Sequence, residues 1–225
     1  MKLKVIADLR ELLGPTRDQG SRPTCLAFAA SDTHAAMRPS WVPLSCEYIY
    51  YHAIRRDSSH PNLGATLPSM LGALRDDGQP SEEEWEYLKA VPANVSRWKP
   101  PAISKKIYRR DSNKKRASIN ALLERLDSGI PIIVTMCLSK AFYSPDNDGI
   151  ITSNEPPDPA IRHAVIAVGY GKKGNETFIL IRNSWGNTWG IFGYAWISKK
   201  YFEPRLLDFA ELTKDLTDVS CNKAA

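Results

Sequence analysis

A chain of 225 residues with 43% hydrophobic and 24% charged content can bury one or two sizeable cores. Its net charge is +5 at pH 7, but the basic residues concentrate in one stretch without aromatic interleaving or a nucleic-acid motif, so no nucleic-acid partner is expected. No run approaches the roughly 18 apolar residues that span a bilayer, and no membrane association is expected.

The first residues, Met1 to Asp8, hold too short an apolar stretch for a signal peptide and show no cleavage pattern, which predicts a cytoplasmic protein. The run Asp18-Gln19-Gly20-Ser21-Arg22-Pro23-Thr24-Cys25-Leu26-Ala27-Phe28 follows. Pro23 and Thr24 are helix-entry signals, and the alanine-rich continuation predicts a helix from Cys25 to Ala36. Small residues along it let the helix lie deep in the fold. A thiol in its first turn faces the positive end of the helix dipole, so a lowered pKa is expected for Cys25. Further helices are predicted from Ser45 to Arg55 and from Leu67 to Leu74, the latter ended by Asp76-Asp77-Gly78 and preceded by Gly64-Ala65-Thr66.

The basic stretch from Lys99 to Arg116 contains Pro100-Pro101 and reads as a solvated crossover between two halves. A helix over Ala117 to Ser128 is next. Strands are then predicted at Ile130 to Leu138, Ala164 to Tyr170, Thr177 to Arg182 and Tyr194 to Ile197. Helices first and strands later predict an α+β protein, taken as a single domain over 1–225 with a helical lobe at 8–100 and a sheet-rich lobe at 101–225.

Chemistry concentrates at four residues. Cys25 near the start, with His163 and Asn183 far downstream, is the layout of a thiol nucleophile and its base. A free thiol is mostly protonated at neutral pH and needs a base to attack a carbonyl carbon. His34 cannot be that base, since it lies about 14 Å along the same helix at 1.5 Å per residue. His52 and His60 have no flanking pattern that points to chemistry. His163 precedes the strand that begins at Ala164, which is expected to end in a glycine turn at Gly169-Tyr170-Gly171, and Asn183 ends another strand, positioned to orient the imidazole ring. The Gln19 amide and the Cys25 backbone N–H would bind the oxyanion, worth about 3–4 kcal/mol per donor in a comparable case. A lone cysteine is usually a core residue; the company of Gln19, His163 and Asn183 argues otherwise. Cys46, Cys137 and Cys221 leave an odd number once Cys25 is assigned, a poor disulfide framework, and no metal-ligand or cofactor pattern is present.

These runs, together with Asn183-Ser184-Trp185-Gly186 and Gly193-Tyr194-Ala195-Trp196, resemble the papain family of cysteine peptidases. The resemblance implies a two-lobe papain-like fold with an antiparallel β-barrel-like second lobe and the active site in the cleft between lobes. It implies that Trp185 lies over the His163–Asn183 hydrogen bond and borders the substrate, and that Gly64, Ala65 and Thr66 pair with an extended peptide through their backbone. The sequence departs from the family at Arg22, in place of a disulfide-forming cysteine, and at Leu26, in place of a tryptophan. Family members usually carry an inhibitory segment before a stretch like Ala7 to Arg10, so the expectation is either a trimmed mature fragment or control by a protein inhibitor or regulatory partner, by leaderless delivery or by substrate scarcity. Three functions are open: a peptidase acting on peptide or protein substrates, an acyl-transfer enzyme such as a ligase or deconjugase, and a silent peptide-binding module.

Overall fold

A computed structural model describes residues 2–217 except 92 and 117; Cys221 and the expected helix start at Ala117 lie outside the described residues. In chain order the elements are β1 (Lys4–Asp8), α1 (Cys25–Ala36), α2 (Cys46–Asp57), α3 (Leu67–Asp76), β2 (Arg110–Arg116), α4 (Ile119–Asp127), β3 (Ile132–Leu138), β4 (Ile150–Ile151), β5 (Asp158–Lys173), β6 (Glu176–Arg182), β7 (Tyr194–Ser198), α5 (Lys199–Phe202) and β8 (Leu206–Asp215). The α+β class expected from the sequence is found.

An eight-stranded sheet runs in the order β2-β8-β3-β5-β6-β7-β4, with β1 added beside β5. All of its ladders are antiparallel except β4 with β7. It is an open path rather than a closed barrel, because no ladder among the described residues joins β2 to β4. The two faces of β5 show why. Ala164, Ile166 and Val168 enter the core shared with α1, α2 and α3, while Val165 and Ala167 enter the core shared with α4 and α5. Alternation along a strand sends successive side chains to opposite faces, so one sheet serves both cores.

α1 is buried on every side from Leu26 to Ala36, as expected of a helix without a polar face. Ala27, Ala29, Ala30, Ala35 and Ala36 let α2, α3 and β5 close around it.

The structure revises the sequence reading at two places. Arg110–Arg116 is not a solvated crossover but the edge strand β2, paired with β8 from Arg110↔Asp215 to Arg116↔Asp208. Its composition shows no apolar alternation, and pairing is imposed by the exposed edge of β8; charged residues on such an edge also disfavour aggregation. The glycines after Val168 are not a turn, since β5 continues to Lys173. They make room for β1: a Cβ on Gly169 would lie 2.3 Å from the Ala7 carbonyl oxygen, and one on Gly171 2.7 Å from that of Lys4.

Cys25, Cys46 and Cys137 are free thiols. Where the family pattern has a disulfide cysteine, the Arg22 guanidinium instead pairs with the buried Glu47 carboxylate, Nη1 at 2.6 Å and Nη2 at 3.0 Å, and also donates to the Leu88 carbonyl. Glu47 accepts in addition from Leu88 N and Trp98 Nε1, so the buried carboxylate is well hydrogen-bonded, while Arg22 Nε has no partner among the described residues. This ion pair holds the nucleophile loop to α2 without a covalent bond. Thermal unfolding followed with and without dithiothreitol should therefore give the same midpoint; a large drop on reduction would show a structural disulfide.

Candidate active site

Cys25 is the first residue of α1, and the loop that delivers it is fixed from three directions. Gln19 N donates to the Ser184 carbonyl at 2.9 Å, Gly186 N donates to the Arg17 carbonyl at 3.1 Å, and Arg22 is anchored on Glu47. Tyr87 adds a fourth tie. Its hydroxyl donates to the Gln19 carbonyl at 2.7 Å, and having one proton it accepts from Thr24 Oγ1 at 2.8 Å.

Gln19 is buried, 7% exposed. Its Oε1 accepts from Ser184 Oγ at 2.6 Å and its Nε2 donates to the Arg22 carbonyl at 2.8 Å. A primary amide has two donor protons, so one Nε2 proton is left for a ligand.

His163 pairs across β3–β5 with Met136, and Asn183 follows directly on β6. Their contact fixes a tautomer. The backbone N–H of Ser184, which can only donate, lies 2.8 Å from Asn183 Oδ1 and so identifies that atom as oxygen. The same oxygen lies 2.7 Å from His163 Nε2. Nε2 must then carry the proton, and in the neutral ring Nδ1 carries the lone pair. Asn183 Nδ2 is buried and has no partner among the described residues; an orphan donor of this kind costs about 1–3 kcal/mol and is a mark of function over stability.

An aromatic wall covers this pair. The Trp185 ring centroid lies 4.8 Å from that of His163, tilted by 39°, and Phe142 lies 5.6 Å from His163 in an edge contact. Tyr143 stacks on the outer side of Trp185 at 5.3 Å. The position expected for Trp185 against the histidine is the one found, and it also lines a groove of about 580 Å³ with Tyr143 and Ile191. Phe142, the other half of the wall, was not singled out from sequence; its short helical turn between β3 and β4 carries no motif.

Cys25 and His163 line one cleft of about 600 Å³, together with Gly64, Ala65, Thr66 and Leu67. The structure thus brings five of the eight expected residues to one cleft, with Asn183 and Trp185 against His163 and Gln19 in the loop that leads to Cys25. Gly64 has φ +81°, which favours glycine, and its backbone sits against the Pro23 carbonyl. Thr66 caps α3, accepting from Ser69 N, and donates its own hydroxyl to Asp57. The opposite wall, Thr135, Leu207 and Asp208, comes from β3 and β8.

Burial dominates the electrostatics. It pushes the Cys25 thiol up, only partly offset by the backbone N–H groups of Ala164, Leu26 and Cys25 itself. The expected lowering by the helix dipole is outweighed because the sulfur lies deep, although the residue as a whole is half-buried. Burial likewise lowers His163 to about 4, with Asn183 opposing. His34, buried beside Gln79, is also lowered to about 4 by burial.

These shifts set a pH dependence. Both histidines are neutral in the folded protein down to about pH 4, while the unfolded chain takes up protons from about pH 6.5. Stability is full above 6.5 and falls as pH drops toward 4, each histidine contributing on the order of 3 kcal/mol. Urea unfolding across this window should show a slope near two protons, and His34→Gln should halve it. An unchanged slope would exclude His34 as a source.

The model for "Papain family cysteine protease" matches residues 6–205. Among curated proteins, a peptidase C1-like protein of Acanthamoeba polyphaga mimivirus is 28% identical over 202 residues, covering 82% of this chain and 64% of that protein. Peptidase 1 of Dermatophagoides farinae is 29% identical, covering 84% and 59%, and pro-cathepsin H of Bos taurus is 26% identical, covering 82% and 56%. The chain therefore spans less than two thirds of the length of these relatives. Among solved structures, xylellain, a cysteine protease from Xylella fastidiosa, superposes with a TM-score of 0.73 at 23% identity, covering 95% of this chain and 87% of that one.

Proposed function

This chain belongs to the papain family of cysteine proteases, and from that premise we propose that it hydrolyses peptide bonds through Cys25, His163 and Asn183, with Gln19 at the oxyanion. The observation that carries the reading is the Asn183 oxygen at 2.7 Å from His163 Nε2. It leaves Nδ1 as the free base of a ring that shares the cleft with the Cys25 thiol.

The chemistry follows from that assignment. An extended peptide pairs with the backbone of the Gly64–Thr66 segment, presenting its carbonyl to Cys25. His163 Nδ1 takes the thiol proton as sulfur attacks. Burial opposes either charge alone, so thiolate and imidazolium form together, each the counter-charge of the other. The second Nε2 proton of Gln19 and the Cys25 N–H hold the oxyanion. The imidazolium returns its proton to the departing amine and leaves a thioester, and His163 then activates water to release the acid.

Peptidase, ligase and deconjugase share this thioester and differ in the acceptor. Incubation with a peptide panel, with or without an added amine, separates them by mass spectrometry: hydrolysed acids are expected, and amide products in preference to acids would make the enzyme a transferase. The absence of either product would favour a silent binding module. Gln19→Ala should lower kcat by about 10²–10³ with KM little changed, since its amide meets the oxyanion and not the ground state. A raised KM at constant kcat would place Gln19 in substrate binding instead. We also place the work of the enzyme in a reducing compartment such as the cytoplasm, because Cys25 must stay a thiol; activity should fall without reductant.

A further inference from the structure

The cleft is lined by two charged side chains that the chemistry does not use, Arg162 and Asp208. Arg162 precedes His163 on β5, lines the same cavity, and is exposed; it has no ion-pair or hydrogen-bond partner among the described residues. Asp208 is the one carboxylate among the lining residues, and Lys114 Nζ pairs with it at 3.1 Å. Asp57, behind the rim, is occupied by Thr66 N at 2.8 Å, Thr66 Oγ1 at 2.7 Å and Ser69 Oγ at 2.5 Å. The cavity that Arg162 lines is also lined by the apolar Leu67, Pro68, Ala164 and Leu207.

The basic run also finds a place here. β8 carries Leu207 and Asp208 into the cavity wall, and β2 is its neighbour, with the exposed Arg116 opposite Asp208 in the ladder. The end of the run therefore borders the cleft, and Arg116 adds positive potential there, while Lys114 and Lys115 are paired with Asp208 and Glu211.

Resting on the peptidase reading for its catalytic readout, we propose that Arg162 is a specificity-determining residue and that the cleft selects peptides with a carboxylate side chain in the substrate position that enters this cavity. Glutamate fits better than aspartate, because its methylenes reach along Leu67 and Leu207 while the carboxylate meets the guanidinium as a two-pronged partner. A lysine in the same position faces a like charge, so the site discriminates by repulsion as well as attraction. Lys114 offsets the Asp208 carboxylate and Arg116 extends the field that draws an acidic peptide in, and salt screens it.

The test uses the full chain carrying Cys25→Ala and fluorescein-labelled peptides identical except for Glu, Gln or Lys at one position, scanned on both sides of the scissile bond. At one position the Glu peptide should bind about tenfold tighter than the Gln peptide and tighter still than the Lys peptide. The advantage should shrink as salt rises from about 50 mM to about 500 mM. Arg162→Gln should erase it and Arg162→Glu should reverse it toward lysine, with circular dichroism checking that both variants fold. The same peptides given to the active enzyme should show the same ratio in kcat/KM, in which any general loss of turnover cancels. Equal binding of Glu and Gln peptides at every position, or an advantage that survives Arg162→Gln, overturns the proposal. Hydrolysis without a glutamate preference sinks the proposal and leaves the peptidase reading intact. A glutamate preference in binding without hydrolysis of any peptide does the reverse.

Discussion

His163→Ala should remove nearly all peptide hydrolysis, and Cys25→Ala should remove all of it, with the fold retained in both. The two substitutions fail for connected reasons. Without the imidazole, the Cys25 thiol, which burial already pushes up, has no acceptor for its proton, and the leaving amine has no donor. General acid–base help is typically worth about 10²–10⁴ in rate, and here it is needed twice per turnover. Residues that act as a unit are not additive, so Cys25→Ala/His163→Ala should be no worse than Cys25→Ala alone. Asn183→Ala should keep measurable activity well below that of the unmodified enzyme, since it orients the ring without moving a proton. Single-turnover assays on a fluorogenic peptide measure all four. Substantial hydrolysis by His163→Ala would refute the assignment of the base.

Asp32→Ala should destabilise the protein by about 3–5 kcal/mol, the cost of stranding buried cations, against a total stability of about 5–15 kcal/mol for a typical domain. Asp32 sits on buried α1 and accepts from Arg17 Nε at 2.9 Å, from Arg182 Nε at 3.0 Å and from Arg182 Nη2 at 2.8 Å. Arg182, only 1% exposed, also donates to the Gly14 and Pro15 carbonyls and to the Tyr194 hydroxyl. Removing the carboxylate leaves the buried Arg182 guanidinium without its counter-charge, and leaves Arg17 with Glu82 alone, at 3.2 Å. The position also matters for catalysis. Arg182 is the last residue of β6 and Asn183 follows it, so Asp32 ties the helix that presents Cys25 to the strand that presents Asn183. Asp32→Asn should keep the shape, lose the charge and fall between. Urea melts of the three proteins in reductant decide it, and a loss under about 1 kcal/mol for Asp32→Ala, the scale of an exposed ion pair, would show the cluster to be solvated.

The candidate site residues were legible in the sequence by itself. Gln19, Cys25, His163 and Asn183 each stand in a local run that makes little sense as plain core, and the α1 limits follow from Thr24, Cys25 and the alanines after it. The central strands were legible because Ile132 to Leu138 and Thr177 to Arg182 are apolar enough to need burial on both faces. β2 and β8 were not: Arg110–Arg116 has no strand signal of its own, and its pairing depends on an edge more than ninety residues downstream in sequence. The same holds for the charges. Nothing near Asp32 in the sequence announces Arg182, and nothing near Arg22 announces Glu47, because buried ion pairs join residues whose separation along the chain carries no pattern. The sign of the Cys25 shift was likewise a tertiary matter. A helix N-terminus lowers a thiol pKa wherever it lies, but how far desolvation opposes it depends on how completely α1, β5 and the aromatic wall exclude water, and only the packed structure decides that.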